Sequence, residues 1–156
     1  MGKKVVAALA AMSLGTAATA EDAAAPRSFV AHLYQKATRD RRFTYASPRI
    51  LTADLYDLAQ RGTNDGKGAD PLGYDPVCQC RDSDGLSAQI LSITVSGDRA
   101  VAQVMLRFDA PHPPPPQRVT LVLTRAPLVG WKIADIQTAR VPSLRAFLAR
   151  RGGQRS

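Results

Sequence analysis

The chain is poor in the residues that most soluble enzymes use for chemistry. In 156 residues it has two cysteines, two histidines and one tryptophan. His32 and His112 lie far in sequence from Cys78 and Cys80, so their spacing spells no closed tetrahedral zinc site, which needs four ligands. No serine sits in a Gly-x-Ser-x-Gly elbow, and no glycine-rich phosphate loop precedes a helix. After residue 20 there is no long apolar run, so nothing reads as a stop-transfer segment.

What is present begins with the leader. Lys3 and Lys4 form a positive start, Val5 to Leu14 a short apolar stretch, and Ala18-Thr19-Ala20 a small-x-small site before Glu21. This order is that of a secretory signal peptide over residues 1–20. It predicts a periplasmic or secreted protein, cut near Ala20, with both cysteines in an oxidising compartment. Losing Lys3 and Lys4 lowers the formal charge from +8 to +6. In a cytosolic chain this excess would raise nucleic acid as a partner, but an exported chain rarely meets it, so no nucleic acid is expected. It leaves open a weak contact with an anionic membrane surface. The arginines at 39, 41 and 42, and those at 140, 145, 150, 151 and 155, also fit ordinary solvated charge.

Residues 21–27 read as a loose, alanine-rich leader, 28–150 as one domain, and 151–156 as a flexible basic tail. Phe29, Val30, Leu33, Tyr34 and Ala37 recur at helical spacing. Ser47-Pro48 predicts the start of a second helix with Leu51, Leu55 and Leu58 on its buried face, ending at Gly62. Residues 62–85 are rich in Gly, Asp, Asn and Pro and read as a long loop. The period then changes to two. Gln89, Leu91, Ile93 and Val95 alternate with Ile90, Ser92 and Thr94, and Gly97-Asp98 makes a tight turn. Ala100, Ala102, Val104, Leu106 and Phe108 form the apolar face of the next strand. The prolines of 111–116 read as a stiff connection that caps the sheet edge, or as a ligand for an aromatic groove. Val119, Leu121 and Leu123 mark a third strand. Trp131, Ile133 and Ile136 mark a fourth, with a bulge near Asp135. Pro142-Ser143 opens a last helix with Leu144, Phe147 and Leu148 inside. The expected fold is α+β: two N-terminal helices packed on a curved four-stranded antiparallel meander, then a short C-terminal helix. Leu91, Val104, Leu106, Leu121, Trp131 and Ile133 are expected to share a core with Leu33 and Leu55.

Cys78-Gln79-Cys80 is the sharpest chemical feature. In an exported chain these two make a disulfide candidate, across a ring too short to restrict the unfolded chain much. Free thiols, a redox pair or two ligands for a soft metal such as copper are the other readings. Asp65, Asp70, Asp75, Asp82 and Asp84 gather in the same loop. They fit acid–base chemistry, calcium or plain turn formation, although the spacing is not that of a twelve-residue calcium loop. Tyr34, Tyr74 and Trp131 are candidates to line a pocket. No cofactor or metal is assigned.

The order of elements resembles the cone-shaped fold of the nuclear transport factor two-like superfamily. Within it the chain is most similar to an uncharacterised family of bacterial secreted domains. The residues carrying the likeness are Phe29-Val30 and Leu33-Tyr34, Leu51 to Leu58, and Tyr74-Asp75-Pro76-Val77-Cys78-Gln79-Cys80-Arg81-Asp82. Gly130 to Ile136 and Ser143-Leu144-Arg145 complete it. The family pattern has glutamine where Arg81 stands, and a plainer hairpin where the proline tract runs. The resemblance makes Asp75, Pro76 and Asp82 the loop motif and supplies no catalytic residue. Superfamily members include enzymes, binding domains and accessory domains. The expected function is therefore a non-enzymatic exported domain that binds an unidentified protein or small ligand, with its oligomeric state unassigned. The alternatives are an enzyme acting in a cone-shaped pocket, and a redox or copper-handling protein using Cys78 and Cys80. An enzyme should converge several polar side chains inside the cone; a binding domain can leave it apolar.

Overall fold

Period-two alternation of apolar residues drives the second half of the chain into a sheet. The computed structural model describes residues 22–40, 43–63 and 72–153. Its four strands are β1 (Leu86–Ser96), β2 (Arg99–Phe108), β3 (Gln117–Ala126) and β4 (Gly130–Gln137). They pair antiparallel in the order β1-β2-β3-β4, a meander. Three helices complete the chain: α1 (Ala24–Arg39), α2 (Ala53–Thr63) and α3 (Leu144–Gly153). This is the expected α+β architecture. The expected signal peptide, together with Arg41, Arg42, Asp65, Asp70 and Arg155, lies outside the described residues.

One apolar cluster joins the sheet to the helices. Val30, Leu33 and Tyr34 of α1, Leu55 and Ala59 of α2, and Leu144 and Leu148 of α3 meet Val104, Leu106, Val119, Leu121, Leu123, Trp131, Ile133 and Ile136. The other face of the sheet is open, with Gln89, Ser92, Arg107 and Arg118 exposed.

Leu91 departs from expectation: it is 40% exposed. The register shifts between Ile90 and Ser92, so Leu91 is the extra residue of a β-bulge. Core-facing positions run through Leu86, Ala88 and Ile90 before it, and through Ile93 and Val95 after it. Strict alternation cannot survive an inserted residue. A second bulge, between Val122 and Leu123 on the β3–β4 register, falls beside Asp135 as anticipated.

The helix boundaries also move. α1 starts at Ala24, inside the segment expected to be loose. Alanine is the best helix former, and Pro26 sits in the first turn, where no intrahelical N–H is needed. α3 continues past the expected tail boundary to Gly153, and the Arg151 guanidinium lies 5.5 Å from the Phe147 ring centre one turn back. Ser47-Pro48 opens a turn and not a helix: Ile50 and Leu51 both donate to the Ser47 carbonyl. Residues 50–52 then lie along β4. Thr52 N donates to the Ile133 carbonyl at 2.9 Å, and Ile133 N donates to the Ile50 carbonyl at 2.8 Å. α2 therefore begins only at Ala53 and runs one residue past Gly62. Leu51 is buried outside the helix, with Leu55 and Ala59 buried within it and Leu58 half-buried. The proline tract 111–116 is exposed and joins β2 to β3, the inner strands. It lies at the end of the sheet and not along an edge strand, which corrects the edge-capping expectation.

Candidate functional site

Asp75 organises the loop that carries the sequence motif. Its Oδ1 accepts from Val77 N at 2.7 Å and more weakly from Cys78 N at 3.4 Å. Its backbone N donates to the Cys80 carbonyl at 2.8 Å, so residues 75 and 80 form an isolated antiparallel bridge. This is aspartate turn chemistry. Within that turn Cys78 and Cys80 are joined as a disulfide. Gln79, between them, takes a left-handed backbone (φ 56°), and its side-chain amide donates to the Pro76 carbonyl at 2.7 Å. Pro76 and Val77 are buried.

The loop is anchored from both sides. The Tyr34 hydroxyl of α1 donates to the Val77 carbonyl at 3.0 Å. Burial, and then the nearby Asp75 carboxylate, hold this phenol's pKa far above its ordinary value. On the other side Arg81 Nε donates to the Gly73 carbonyl at 3.0 Å, which gives this arginine a structural role. Asp82 Oδ1 accepts from Asp84 N at 3.1 Å, and Ser83 O accepts from Leu86 N as β1 begins. Gly85 (φ +75°) is tightly enclosed: a Cβ there would stand 2.4 Å from the Asp109 carbonyl oxygen.

A cleft of about 310 Å³ opens beside the bridge. Its walls include Cys78, Cys80, Asp40, Asp75, Asp82 and Asp84, with Arg81 the single base among the described lining residues. Among the described residues carboxylates thus outnumber basic groups here, in a chain of net charge +8. Among the described residues no group of three His, Cys, Asp or Glu has the arrangement of a metal site. The joined sulfurs also do not offer the two thiolates that the copper reading needs. A second cleft, of about 300 Å³, runs from Gln79 past Pro115 and Pro116 to Arg118 and Arg140. The fold therefore brings the proline tract close to the bridged loop.

Of the pocket candidates, Tyr34 reaches the loop. Trp131 is 9% exposed in the core, on the inner face of β4, and Tyr74 is half-buried. Neither of these two lines the clefts described here. His32 and His112 are exposed and remote from the bridge in sequence. Asp40 was missed by sequence reasoning. It ends α1, its N–H donating to the Lys36 carbonyl, and only folding brings it to the loop.

A second polar cluster was also missed. Asp135, at the β4 bulge, accepts from Ile136 N and Arg145 N at 2.9 Å through Oδ1, and from Ser143 Oγ at 2.7 Å through Oδ2. Ser143 caps α3 in turn, its Oγ accepting from Ala146 N at 3.1 Å. Arg145 then reaches Asp54 of α2 at 2.5 Å, and this pairing holds the Asp54 carboxyl well below the usual carboxylate range. These are joints between α2, α3 and β4. No ligand-facing arrangement is evident in them.

No protein-family model and no curated protein matches the chain. Among solved structures, a chain of the crystal structure of the type VI effector-immunity complex Tae3–Tai3 from Ralstonia pickettii is similar in fold. The TM-score is 0.51 at 20% identity, over 73% of this chain and 96% of that one. The likeness is one of fold. It does not extend to the nuclear transport factor two-like kinship expected from the sequence.

Proposed function

We propose that this chain is exported and works by binding a protein partner outside the cytoplasm. The observation that carries the reading is the apolar interior. Among the described residues the one buried charged side chain is Lys132, and its ammonium donates to the Pro48 carbonyl at 2.6 Å. An enzyme acting within a cone should gather several polar groups there, and the core instead consists of Leu, Ile, Val and Ala with Tyr34, Tyr45, Cys78 and Trp131. The polar clusters lie outside this core, at the bridged loop and at the joint of α2, α3 and β4. The fold likeness to a chain from an effector-immunity complex accords with a protein partner. The disulfide accords with an oxidising compartment. No helix among the described residues is long and apolar enough to cross a membrane. The helix and sheet order also keeps the nuclear transport factor two-like kinship within this proposal.

One observation favours a second reading. Both cysteines line the surface cleft, and Cys80 is half-exposed, as a thiol–disulfide exchange site requires.

The test is affinity capture from periplasmic extract with the exported chain and with its Asp82→Arg/Asp84→Arg variant. Partner binding predicts a stoichiometric protein retained by the first and released by the second. Absence of a retained protein, together with rapid reduction of the bridge by a dithiol oxidoreductase, would replace it with the redox reading. Intact mass should show loss of residues 1–20; retention of Met1 to Ala20 in the soluble product would refute export by this route.

A further inference from the structure

The two edges of the sheet are treated differently. β4 is covered by residues 50–52, which exchange backbone hydrogen bonds with Ile133. β1 is the other edge, and among the described residues nothing pairs with its outer side. It is 11 residues long, LSAQILSITVS, with no charge and no proline. Every other strand carries charge: Arg99 and Arg107 on β2, Arg118 and Arg125 on β3, Lys132 and Asp135 on β4. A long edge without charge or proline is a template for another strand, and proteins normally block such edges.

The neighbouring helix continues this neutral band. Between α1 and β1 runs a groove of about 490 Å³, whose α1 side presents Ala31, Gln35 and Thr38 with the single charge of Arg27. In so basic a chain, an edge strand that carries no charge of its own is where two copies can approach with least repulsion.

The bulge makes the edge self-complementary. Leu91 and Ser92 both face outward, and Ile90 and Ile93 on either side both face the core. We propose that β1 pairs antiparallel with β1 of a second copy across a two-fold axis between Leu91 and Ser92. That register sets Ile90 against Ile93 and Ala88 against Val95 on the core face. On the open face it sets Leu91 against Ser92 and Gln89 against Thr94. Without the inserted residue the same register would oppose inward to outward positions. Ile90, Ile93 and Val95 are only half-buried in one copy, and pairing completes their burial. The four-stranded sheet becomes continuous through both copies.

Sedimentation of the exported protein over a range of concentrations tests this, with Ser92→Lys/Thr94→Lys as the variant. Both side chains are exposed, so the fold tolerates the change, as the far-ultraviolet spectrum should confirm. The wild type should dimerise reversibly, and the variant should dimerise about a hundredfold more weakly. The outward-pointing amides of β1, those not bonded to β2, should be protected from hydrogen exchange in the dimer and lose that protection in the variant. A wild type that stays monomeric at every concentration, a dimer that survives the variant, or protection confined to other segments would each overturn the proposal. If a strand from another protein occupies β1 instead, the chain alone sediments as a monomer.

Discussion

The Tyr34 hydroxyl donates to the Val77 carbonyl across 43 residues of sequence, tying α1 to the turn that holds the disulfide. Val77 is fully buried, so its carbonyl has no access to water in exchange. Tyr34→Phe should therefore cost about 1–3 kcal/mol, the desolvation cost of an unpaired buried group, read by chemical denaturation. The same residue gives an alkaline signature. In the unfolded chain the phenol ionises near its ordinary value of 10.0, while the folded protein holds the proton to much higher pH. Stability is thus complete below about pH 10 and falls as pH rises beyond it. Tyr34→Phe should flatten that fall, and an unchanged alkaline slope would show that Tyr34 does not cause it.

Leu106 and Leu91 separate the two faces of the sheet. Leu106 is fully buried, and Leu106→Ala should cost about 2–5 kcal/mol. Leu91→Ala should cost less than about 0.5 kcal/mol in the monomer, as at other surface positions. Equal losses would mean that the bulge is misplaced.

Asp135 accepts three hydrogen bonds where β4 meets α3. Asp135→Ala should destabilise by about 2–4 kcal/mol, since it removes the partner of the Ser143 hydroxyl that caps α3 and leaves two backbone donors without that acceptor. Asp82→Ala, which removes one exposed turn contact, should cost under about 1 kcal/mol. Thermal melts of both variants check the contrast.

The Cys78–Cys80 bridge should be dispensable for folding. Its two residues are separated by 2 in sequence, so it removes little freedom from the unfolded chain. The turn is held independently by Asp75, by Tyr34 and by Arg81. A thiol count on the unreduced protein should give zero, and reductant should leave the melting temperature nearly unchanged. A large fall would show that the bridge anchors the turn.

Much of the sheet was legible because alternation is a local signal. Ala100 to Leu106 and Val119 to Leu123 point inward as their spacing implies. Leu91 was misread because a bulge is set by pairing with β2, which period-two counting does not register. Ser47-Pro48 carried a valid start signal that tertiary pairing overrode: Leu51 is more useful against Ile133 than inside α2. The Asp75 turn accords with aspartate turn chemistry, and the Cys78–Cys80 bridge with one of the readings the sequence left open. Asp40 reaches the cleft from α1, and Arg145 meets Asp54 across 91 residues, so neither had a local signature.

The cover over the β4 edge has a consequence for the order of assembly. Lys132 reaches the Pro48 carbonyl from 84 residues downstream, beside the strand that residues 50–52 need as their template. The hairpins of the meander close over short loops, but this contact closes a very long one. A chain threaded outward from its N-terminus cannot dock the start of α2 until β4 has emerged. Residues 50–52 thus gain their pairing partner only after most of the chain has been made.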